Sequence, residues 1–213
     1  MRFSEFEKRI TKVKNLELPG EEYHFRMAPL ERLQELKRKA YQMDSAKRAA
    51  VLCLFYPNTI GDTHFILILR KQYKGVHSAQ VGFPGGKVER IDPDLMATAL
   101  REAHEEVGVN PQQVRVLKEL TEVYIPPSNY FVRPYMGISD STPRFVRQIE
   151  EVDALIEVPI LEFLDDTSKI TQTLSTSYAK NIEVPAFELQ GHVVWGATAM
   201  MLNEVRELLT KVL

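Results

Sequence analysis

The sequence is poor in cysteine, in net charge and in long apolar segments, and each shortage excludes a class of protein. Its single cysteine, Cys53, cannot form an internal disulfide and lies in the apolar run AAVLCLFY, so we expect a buried core thiol. A formal net charge of −2 over 213 residues gives no electrostatic basis for binding nucleic acid or a membrane surface. No apolar run approaches the roughly 18 residues that cross a bilayer. Because the opening residues MRFSEFEKRI also lack the apolar core of a signal peptide, we expect a cytoplasmic protein.

The length of the chain predicts one main domain with a short N-terminal addition. We expect residues 1–44 to form a helical N-terminal extension and residues 45–213 to form the domain. Residues 3–14 have apolar side chains at helical spacing, and residues 30–43 show a weaker helical pattern. The first of these helices is a candidate contact for a homodimer, or a lid.

From residue 49 onward the pattern mixes strands with helices. Strands are predicted at 49–56, 65–70, 114–124, 130–138, 152–158, 170–177 and 184–189. A long loop over 71–86 separates the second strand from a helix, and a last helix is predicted at 197–212. Because strands and helices do not alternate strictly, an α+β domain fits best.

The segment GGKVERIDPDLMATALREAHEEVGV, residues 85–109, contains the best-defined helix. Asp92 is a suitable N-cap and Pro93 suits the first helical position, so the helix is predicted to begin there. Gly108 can supply the left-handed residue that ends it. The side predicted to pack carries Met96, Leu100, Ala103 and Val107.

Three glutamates, Glu102, Glu105 and Glu106, share another side of this helix, where we expect them to point outward as a cluster. Like charges at this spacing repel one another. Arg101 can neutralise one glutamate, and a hard divalent cation such as Mg²⁺ or Mn²⁺ would compensate the others. A glutamate-rich helix face is ordinarily just solvated surface. The fixed spacing from Gly86 through Arg101 to the glutamates argues against that interpretation here.

The stretch REAHEEVGV, residues 101–109, resembles the second half of the Nudix box, G-x5-E-x7-R-E-U-x-E-E-x-G-U, where U is a bulky aliphatic residue. In the first half, the position of the box glutamate falls on Pro93, while an acid, Asp92, stands six residues after Gly86. The resemblance implies an α/β/α sandwich with a mixed β-sheet and a loop–helix–loop catalytic motif.

A second resemblance concerns the coenzyme A pyrophosphatase branch of the Nudix family, whose upstream signature is LLTxR[SA]x3Rx3Gx3FPGG. The loop HSAQVGFPGG, residues 77–86, is similar to its end, and Arg70 and the FPGG residues keep their places. Three positions differ from the signature: Lys71, Gly75 and Ala79. YIPPSNYFVRPY and VWGATAMMLNEV also look like this branch, and the resemblance spans residues 49–205.

The resemblance implies hydrolysis of one phosphoanhydride in a nucleoside diphosphate derivative, a small-molecule substrate. It also implies a set of metal ligands, namely Gly86 through its carbonyl, Glu102, Glu105 and Glu106. Arg101 is expected to orient a glutamate through a bidentate ion pair. The base that takes the proton of the attacking water varies in the family. It is either a box glutamate, Glu102 or Glu105, or a distant acid, for which Glu150 and Glu151 are the candidates.

Substrate-binding candidates cluster before the box and in one later loop. They are Arg70, Lys71, Lys74, His77, Gln80, Lys87, Ser128 and Asn129. Each also has an ordinary explanation, because lysines solubilise surfaces, His77 and Gln80 can satisfy loop carbonyls, and Pro-Pro-Ser-Asn makes a turn. For Trp195, core packing is favoured over base stacking.

Three functional hypotheses follow. The first is a metal-dependent hydrolase that converts coenzyme A or its derivatives to 3′,5′-ADP and 4′-phosphopantetheine. The second is a related hydrolase of ADP-ribose, a dinucleotide or an oxidised nucleotide, which the three departures from the signature keep open. The third, ranked last, is a Nudix-like module that binds a nucleotide without cleaving it, because such a module has no need of all three glutamates.

Overall fold

The computed structural model describes residues 1–32, 34, 45–72, 79–174 and 181–213. Its helices are α1 Phe3–Ile10, α2 Glu21–Phe25, α3 Leu95–Val107, α4 Ile160–Leu164 and α5 Gly196–Val212. Its strands are β1 Lys47–Pro57, β2 Thr63–Arg70, β3 Val81–Gly82, β4 Gly85–Lys87, β5 Arg115–Glu119, β6 Val123–Ile125, β7 Tyr130–Ile138, β8 Val152–Pro159, β9 Lys169–Leu174, β10 Ile182–Leu189 and β11 His192–Trp195. Short 3₁₀ turns occupy Thr11–Asn15, Pro111–Gln113 and Asp166–Ser168.

The strands form a large mixed sheet and a small antiparallel one. The large sheet has the order β3-β2-β1-β7-β5, with β4 also paired to β1, β6 to β7 and β8 to β2. β1 and β7 run parallel, while the other pairs are antiparallel. β9, β10 and β11 form the second sheet. The predicted α+β class with a mixed sheet is confirmed.

Strand β1 explains the layered architecture, because its apolar run is buried on both faces. Cys53 and Phe55 belong to a core shared with α1 and α5, whereas Leu52 and Leu54 belong to a core shared with α3. A strand covered on both sides carries a continuous apolar run instead of an alternating one. The sheet therefore lies between two helical layers, as the α/β/α expectation requires. Cys53 is a buried free thiol, as predicted.

Helix α1 packs into the larger core. Phe3, Phe6 and Ile10 are buried, and the Phe6 ring lies 5.1 Å from the Phe55 ring between centroids. The apolar stripe of α1 is therefore turned inward and does not offer the dimer contact that the sequence suggested. The division at residue 44 stays a prediction. Of the second predicted helix, residues 30–32 are helical, while residues 33 and 35–44 lie outside the described part.

Several boundaries differ from the sequence prediction. The strand predicted at 114–124 is two strands, β5 and β6, because the chain breaks pairing at Thr121, whose N–H and hydroxyl donate to Glu204 of α5. The loop predicted at 71–86 contains the short strands β3 and β4. The strand predicted at 170–177 corresponds to β9, Lys169–Leu174, and its residues 175–177 lie outside the described residues. The described part of the chain contains no helix with the length and apolar character of a membrane span.

Candidate active site

The diglycine of the FPGG turn brings strand β4 against the middle of the sheet. β4 pairs antiparallel with Ala49–Val51 of β1. Gly85 has φ 149°, and a Cβ placed on it would lie 2.4 Å from the carbonyl oxygen of Ala50. Only glycine tolerates both this backbone conformation and this close approach. The Gly85 N–H is thereby aimed at helix α3, where it donates to Glu106 at 2.8 Å.

Helix α3 begins later than predicted and ends where predicted. Its N-cap is Asp94, whose side chain accepts a hydrogen bond from the Ala97 N–H at 2.7 Å. The assignment of Asp92 as N-cap is therefore wrong by two residues, because the Asp92 carboxylate is used elsewhere. Gly108 ends the helix with φ 75° in the left-handed region, which confirms the predicted C-terminal glycine.

The three glutamates of α3 have three different environments. Glu106 is only 2% exposed, whereas the Glu105 side chain is 54% exposed and the Glu102 side chain 14% exposed. The prediction that all three point outward is therefore wrong for Glu106. The helix packs on Ala99, Ala103 and Val107 with Glu106 beside them, while Met96, predicted to pack, is 38% exposed.

Glu106 is held by an arginine and by the diglycine turn. Arg70 Nη1 lies 3.3 Å from its carboxylate, and Arg70 Nη2 donates to the Gly85 carbonyl at 2.9 Å. Burial raises the pKa of Glu106 to about 7, although Arg70 and the Gly85 N–H act in the opposite direction. The negative charges of Glu102 and Glu151 add to this increase in pKa. Glu106 is thus a buried acid whose charged form needs further positive charge.

Arg101 makes its bidentate ion pair with Asp92 and not with a glutamate. Its Nε and Nη2 donate to the two Asp92 carboxylate oxygens at 2.8 and 2.9 Å. These hydrogen bonds hold the pKa of Asp92 well below its usual range. The third nitrogen, Nη1, lies 3.2 Å from Glu102 and 3.1 Å from Glu105. Arg101 therefore touches both glutamates from a position fixed by Asp92, a partner that the sequence pattern did not assign.

The carboxylate of Glu102 lies directly against Gly86. A Cβ on Gly86 would come within 2.5 Å of the Glu102 carboxylate carbon. Burial raises the pKa of Glu102, Arg101 opposes the increase, and the charges of Glu105 and Glu151 add to it. A side chain at position 86 would therefore displace the Glu102 carboxylate.

The donors at this site fit a hard divalent cation by their chemistry. Glu102 and Glu106 are both carboxylates, and the charge of Glu102 raises the pKa of Glu106. A cation bound between them would reverse that effect. The ligands are not already arranged around a metal position, because the described residues contain no group of three His, Cys, Asp or Glu side chains close enough to hold one ion. The exposed Glu105 would have to turn from Arg101 to join them.

Glu151 lies next to this site, whereas nothing in the described contacts links its neighbour Glu150 to it. The Glu151 carbonyl accepts a hydrogen bond from the Lys71 N–H at 2.8 Å, and the next residue, Val152, pairs with Arg70 across β8 and β2. The charge of Glu151 raises the pKa of both Glu102 and Glu106. Of the two distant acids named from the sequence, Glu151 is therefore the one that interacts electrostatically with the site.

A cavity of about 540 Å³ opens beside the diglycine turn. The predicted residues that line it are Arg70, Gln80, Gly86, Lys87 and Ser128. Arg32 and the half-buried Trp195 also line it, and the sequence interpretation had placed Trp195 in the core. The one sequence signal that could have placed Trp195 at the cavity is its position directly before helix α5, which also lines the cavity.

The remaining substrate-binding candidates do not all reach this cavity. The Asn129 side chain accepts from the Tyr124 hydroxyl at 2.9 Å and donates to Ser45, and its φ of 54° is that of a turn residue. Lys71 Nζ donates to the Ile149 carbonyl at 3.0 Å. Lys74 and His77 lie outside the described residues, and their roles stay predictions.

Similarity to known proteins agrees with this geometry. The profile of the NUDIX domain matches residues 46–170. Nudix hydrolase 15, mitochondrial, of Arabidopsis thaliana is 33% identical over 162 residues, which are 73% of this chain and 56% of that protein, so the chain spans about half of that relative's length. The Yersinia pestis (strain Pestoides F) protein named uncharacterized Nudix hydrolase NudL is 31% identical over 172 residues, 81% of this chain and 84% of the relative.

Among solved structures, the fold matches that of RenU, a Nudix hydrolase from M. smegmatis. The TM-score is 0.54 at 16% identity, and the match covers 79% of this chain and 88% of that chain. The profile match, the two relatives and this shared fold lead to one conclusion: the chain belongs to the NUDIX domain family.

Proposed function

We propose that this chain is a metal-dependent hydrolase of a phosphoanhydride in a nucleoside diphosphate derivative, with coenzyme A or its derivatives as substrate. The products would be 3′,5′-ADP and 4′-phosphopantetheine. The observation that carries the proposal is that the same residues line the cavity and contact the glutamates of α3. Gly85, Gly86 and Arg70 line the cavity and at the same time contact Glu106 or Glu102.

The carboxylates suit a reaction in which water attacks a phosphorus surrounded by negative oxygens. Nudix enzymes generally use divalent metal ions, and here Glu102, Glu105, Glu106 and the Gly86 carbonyl would hold Mg²⁺ or Mn²⁺. Once bound, the cation would neutralise phosphate charge and make a bound water more acidic. Arg101, fixed by Asp92, would hold the Glu102 and Glu105 carboxylates in position for the metal.

A proton must leave the attacking water, and we assign Glu151 as its acceptor. Its carbonyl accepts from the Lys71 N–H and the next residue, Val152, pairs with Arg70, so its backbone is held beside Arg70. Its side chain is exposed, and its charge raises the pKa of both Glu102 and Glu106. A general base positioned in this way contributes about 10²- to 10⁴-fold to the rate. Glu102 and Glu105 are the alternatives, but both already contact Arg101.

The substrate proposal rests on the FPGG signature and on the mixed character of the cavity. Coenzyme A combines a phosphorylated nucleotide with a long arm of low charge. The cavity offers cationic Arg32, Arg70 and Lys87 together with apolar Phe83 and Trp195. Its volume of about 540 Å³ lies within the usual range for small-molecule sites. Arg70 already contacts the Glu106 carboxylate, so it would bind phosphate while keeping that contact.

A second candidate substrate class, ADP-ribose or a related nucleotide, is favoured by the departures from the signature at Lys71, Gly75 and Ala79. A non-catalytic nucleotide-binding module is the third candidate. From the sequence composition we also propose a cytoplasmic location.

The test is a product assay with coenzyme A, ADP-ribose and NADH, each with Mg²⁺ or Mn²⁺, resolved by chromatography. Glu106→Gln serves as the blank, and Glu183→Gln, an exposed glutamate of β10, is the matched control. Release of 3′,5′-ADP from coenzyme A, lost in Glu106→Gln and kept in Glu183→Gln, would support the proposal. Cleavage of ADP-ribose or NADH alone would discard the coenzyme A assignment, and absence of any turnover would favour the binding module.

A further inference from the structure

The segment that connects β7 to β8 runs along the end of helix α3 and closes with a turn over residues 148–151. The Val146 N–H donates to the Val107 carbonyl at 3.0 Å. The Gln148 N–H donates to the Glu106 carbonyl, also at 3.0 Å. Both carbonyls lie in the last turn of α3, where a helix leaves its carbonyls without intrahelical partners. The turn is therefore attached to the backbone of Glu106, the most buried of the three glutamates.

Gln148 contacts this turn a second time, through its side chain. Its Oε1 accepts a hydrogen bond from the Glu151 N–H at 3.0 Å. Its backbone carbonyl accepts from the N–H groups of Glu151 and Val152 at 3.3 and 2.9 Å. Gln148 is half-buried, whereas the next three residues are exposed. Gln148 thus joins the metal-ligand helix to Glu151, with its own N–H on Glu106 and its side-chain oxygen on Glu151.

The opposite side of the turn is held from strand β2. Lys71, directly after β2, donates its N–H to the Glu151 carbonyl at 2.8 Å. The preceding residue, Arg70, contacts the Glu106 carboxylate. Glu151 is therefore connected to Glu106 along two routes, one through Gln148 and one through strand β2.

The two routes hold different ends of Glu151. Lys71 holds its carbonyl, whereas Gln148 holds its N–H. Fixing the peptide groups on both sides of a residue restricts its φ and ψ, and with them the direction in which its side chain leaves the backbone. Among the described residues, no side chain donates to the Glu151 carboxylate. The direction of that carboxylate therefore depends on the backbone of the turn.

We propose that Gln148 is the positioning residue for Glu151, and that it holds the turn so that the Glu151 carboxylate faces the proposed metal ligands of α3. This inference rests on the proposed function, in which Glu151 accepts the proton of the attacking water. A misplacement of about 1 Å can cost an enzyme about 10²-fold in rate. Because strand β2 still supports the turn when the Gln148 acceptor is removed, we expect a smaller loss, of about tenfold.

The test is a cycle of two substitutions in the full chain with Mg²⁺, using whichever of coenzyme A, ADP-ribose and NADH it cleaves. Gln148→Met removes the acceptor and keeps the length of the side chain, so kcat should fall about tenfold while KM stays unchanged. In the Glu151→Gln background the same substitution should have no further effect, because a positioning residue acts only through the group that it positions. Gln113→Met, at an exposed glutamine in another turn, should keep wild-type kinetics.

Backbone NMR relaxation provides a readout that needs no substrate. Order parameters at residues 149–151 should be about 0.85 in the wild type, and Gln148→Met should lower them toward about 0.6. Unchanged order parameters would overturn the proposal. Unchanged kcat in Gln148→Met, or equal losses in the wild-type and Glu151→Gln backgrounds, would also overturn it while leaving the hydrolase in place. A wild-type chain that cleaves none of the three substrates would instead overturn the proposed function and this role with it, so the two failures are distinguished.

Discussion

At the scale of single residues, Gly85 and Gly86 are adjacent but are required for different reasons. A Cβ on Gly85 would meet backbone atoms of Ala50 and Val51 at 2.4 and 2.5 Å, and its φ of 149° disfavours any side chain. A Cβ on Gly86 would instead meet the end of the Glu102 side chain, which can rotate away. The first clash strains the fold, whereas the second displaces one proposed metal ligand.

We therefore predict that Gly85→Ala lowers the free energy of unfolding by about 2 kcal/mol or more, while Gly86→Ala lowers it by less than about 1 kcal/mol. Both variants should lose the proposed hydrolase activity. Denaturant unfolding and the product assay on the same preparations measure the two effects separately. Equal stabilities of the two variants would contradict the backbone clash at Gly85. A fully active Gly86→Ala would show that the close contact with Glu102 has no functional consequence.

Glu151 and Glu150 form a second matched pair of neighbours. Of these two neighbours, Glu151 is the one whose charge adds to the increase in the pKa of Glu102 and Glu106. If Glu151 accepts the proton of the attacking water, Glu151→Gln should lower kcat by about 10²- to 10⁴-fold, with little change in KM. Glu150→Gln should keep wild-type kinetics. Steady-state rates of the two variants decide this, and equal rates would return the role of base to Glu102 or Glu105.

At the scale of elements, helix α3 shows what a sequence pattern can and cannot predict. The glycine C-cap and the buried Ala103 and Val107 follow from helical periodicity alone. The burial of Glu106 does not, because a helical wheel cannot show that Arg70, from a different strand, and the Gly85 N–H supply the partners that allow a carboxylate to be buried. The same limit applies to Asp92, because its ion pair with Arg101, formed in place of an N-cap hydrogen bond, depends on the folded structure.

Helix α5 is tied to its neighbours by another buried acid, Glu204. Its carboxylate accepts from the Thr121 hydroxyl at 2.6 Å and lies 3.0 Å from His24 Nε2. Burial alone would raise the pKa of Glu204, but the hydrogen bonds from His24 and Thr121 outweigh burial and hold the pKa below its usual range. A carboxyl with a depressed pKa in the folded state stabilises the protein above its unfolded pKa of about 4.3.

This stabilisation should be lost as pH falls through the lower pKa of the folded state. We predict that the difference in free energy of unfolding between wild type and Glu204→Gln is largest near neutral pH. The difference should shrink once the pH falls below the ordinary glutamate range. Chemical denaturation over this range measures the difference, with Glu183→Gln as the exposed control. A difference that does not change with pH would mean that shape, and not charge, makes Glu204 important.

At the scale of the whole molecule, one sheet separates two cores, and the two-sided burial of β1 was visible in its unbroken apolar run. Strands were predicted near 170–177 and 184–189, but their separation into a small sheet of β9, β10 and β11 was not, because a strand pattern does not show which strands pair. A second cavity, of about 580 Å³ beside the C-terminal half of α5, could not be predicted either. Arg206 and Lys169 are 37 positions apart in the numbering, and only the fold brings them together.

The place of the N-terminal segment in this architecture leads to the last prediction. Phe6 is fully buried, and its ring packs 5.1 Å from the buried Phe55 ring near the end of β1. Phe6→Ala should therefore lower the free energy of unfolding by about 3–5 kcal/mol, or the melting temperature by about 10 °C. Phe25→Ala, on α2 and 36% exposed, should change it by less than about 1 kcal/mol. Thermal and denaturant unfolding of both variants measure this. Similar small losses in the two would mean that residues 1–44 are a separable extension, whereas a large loss in Phe6→Ala alone would make α1 part of the domain.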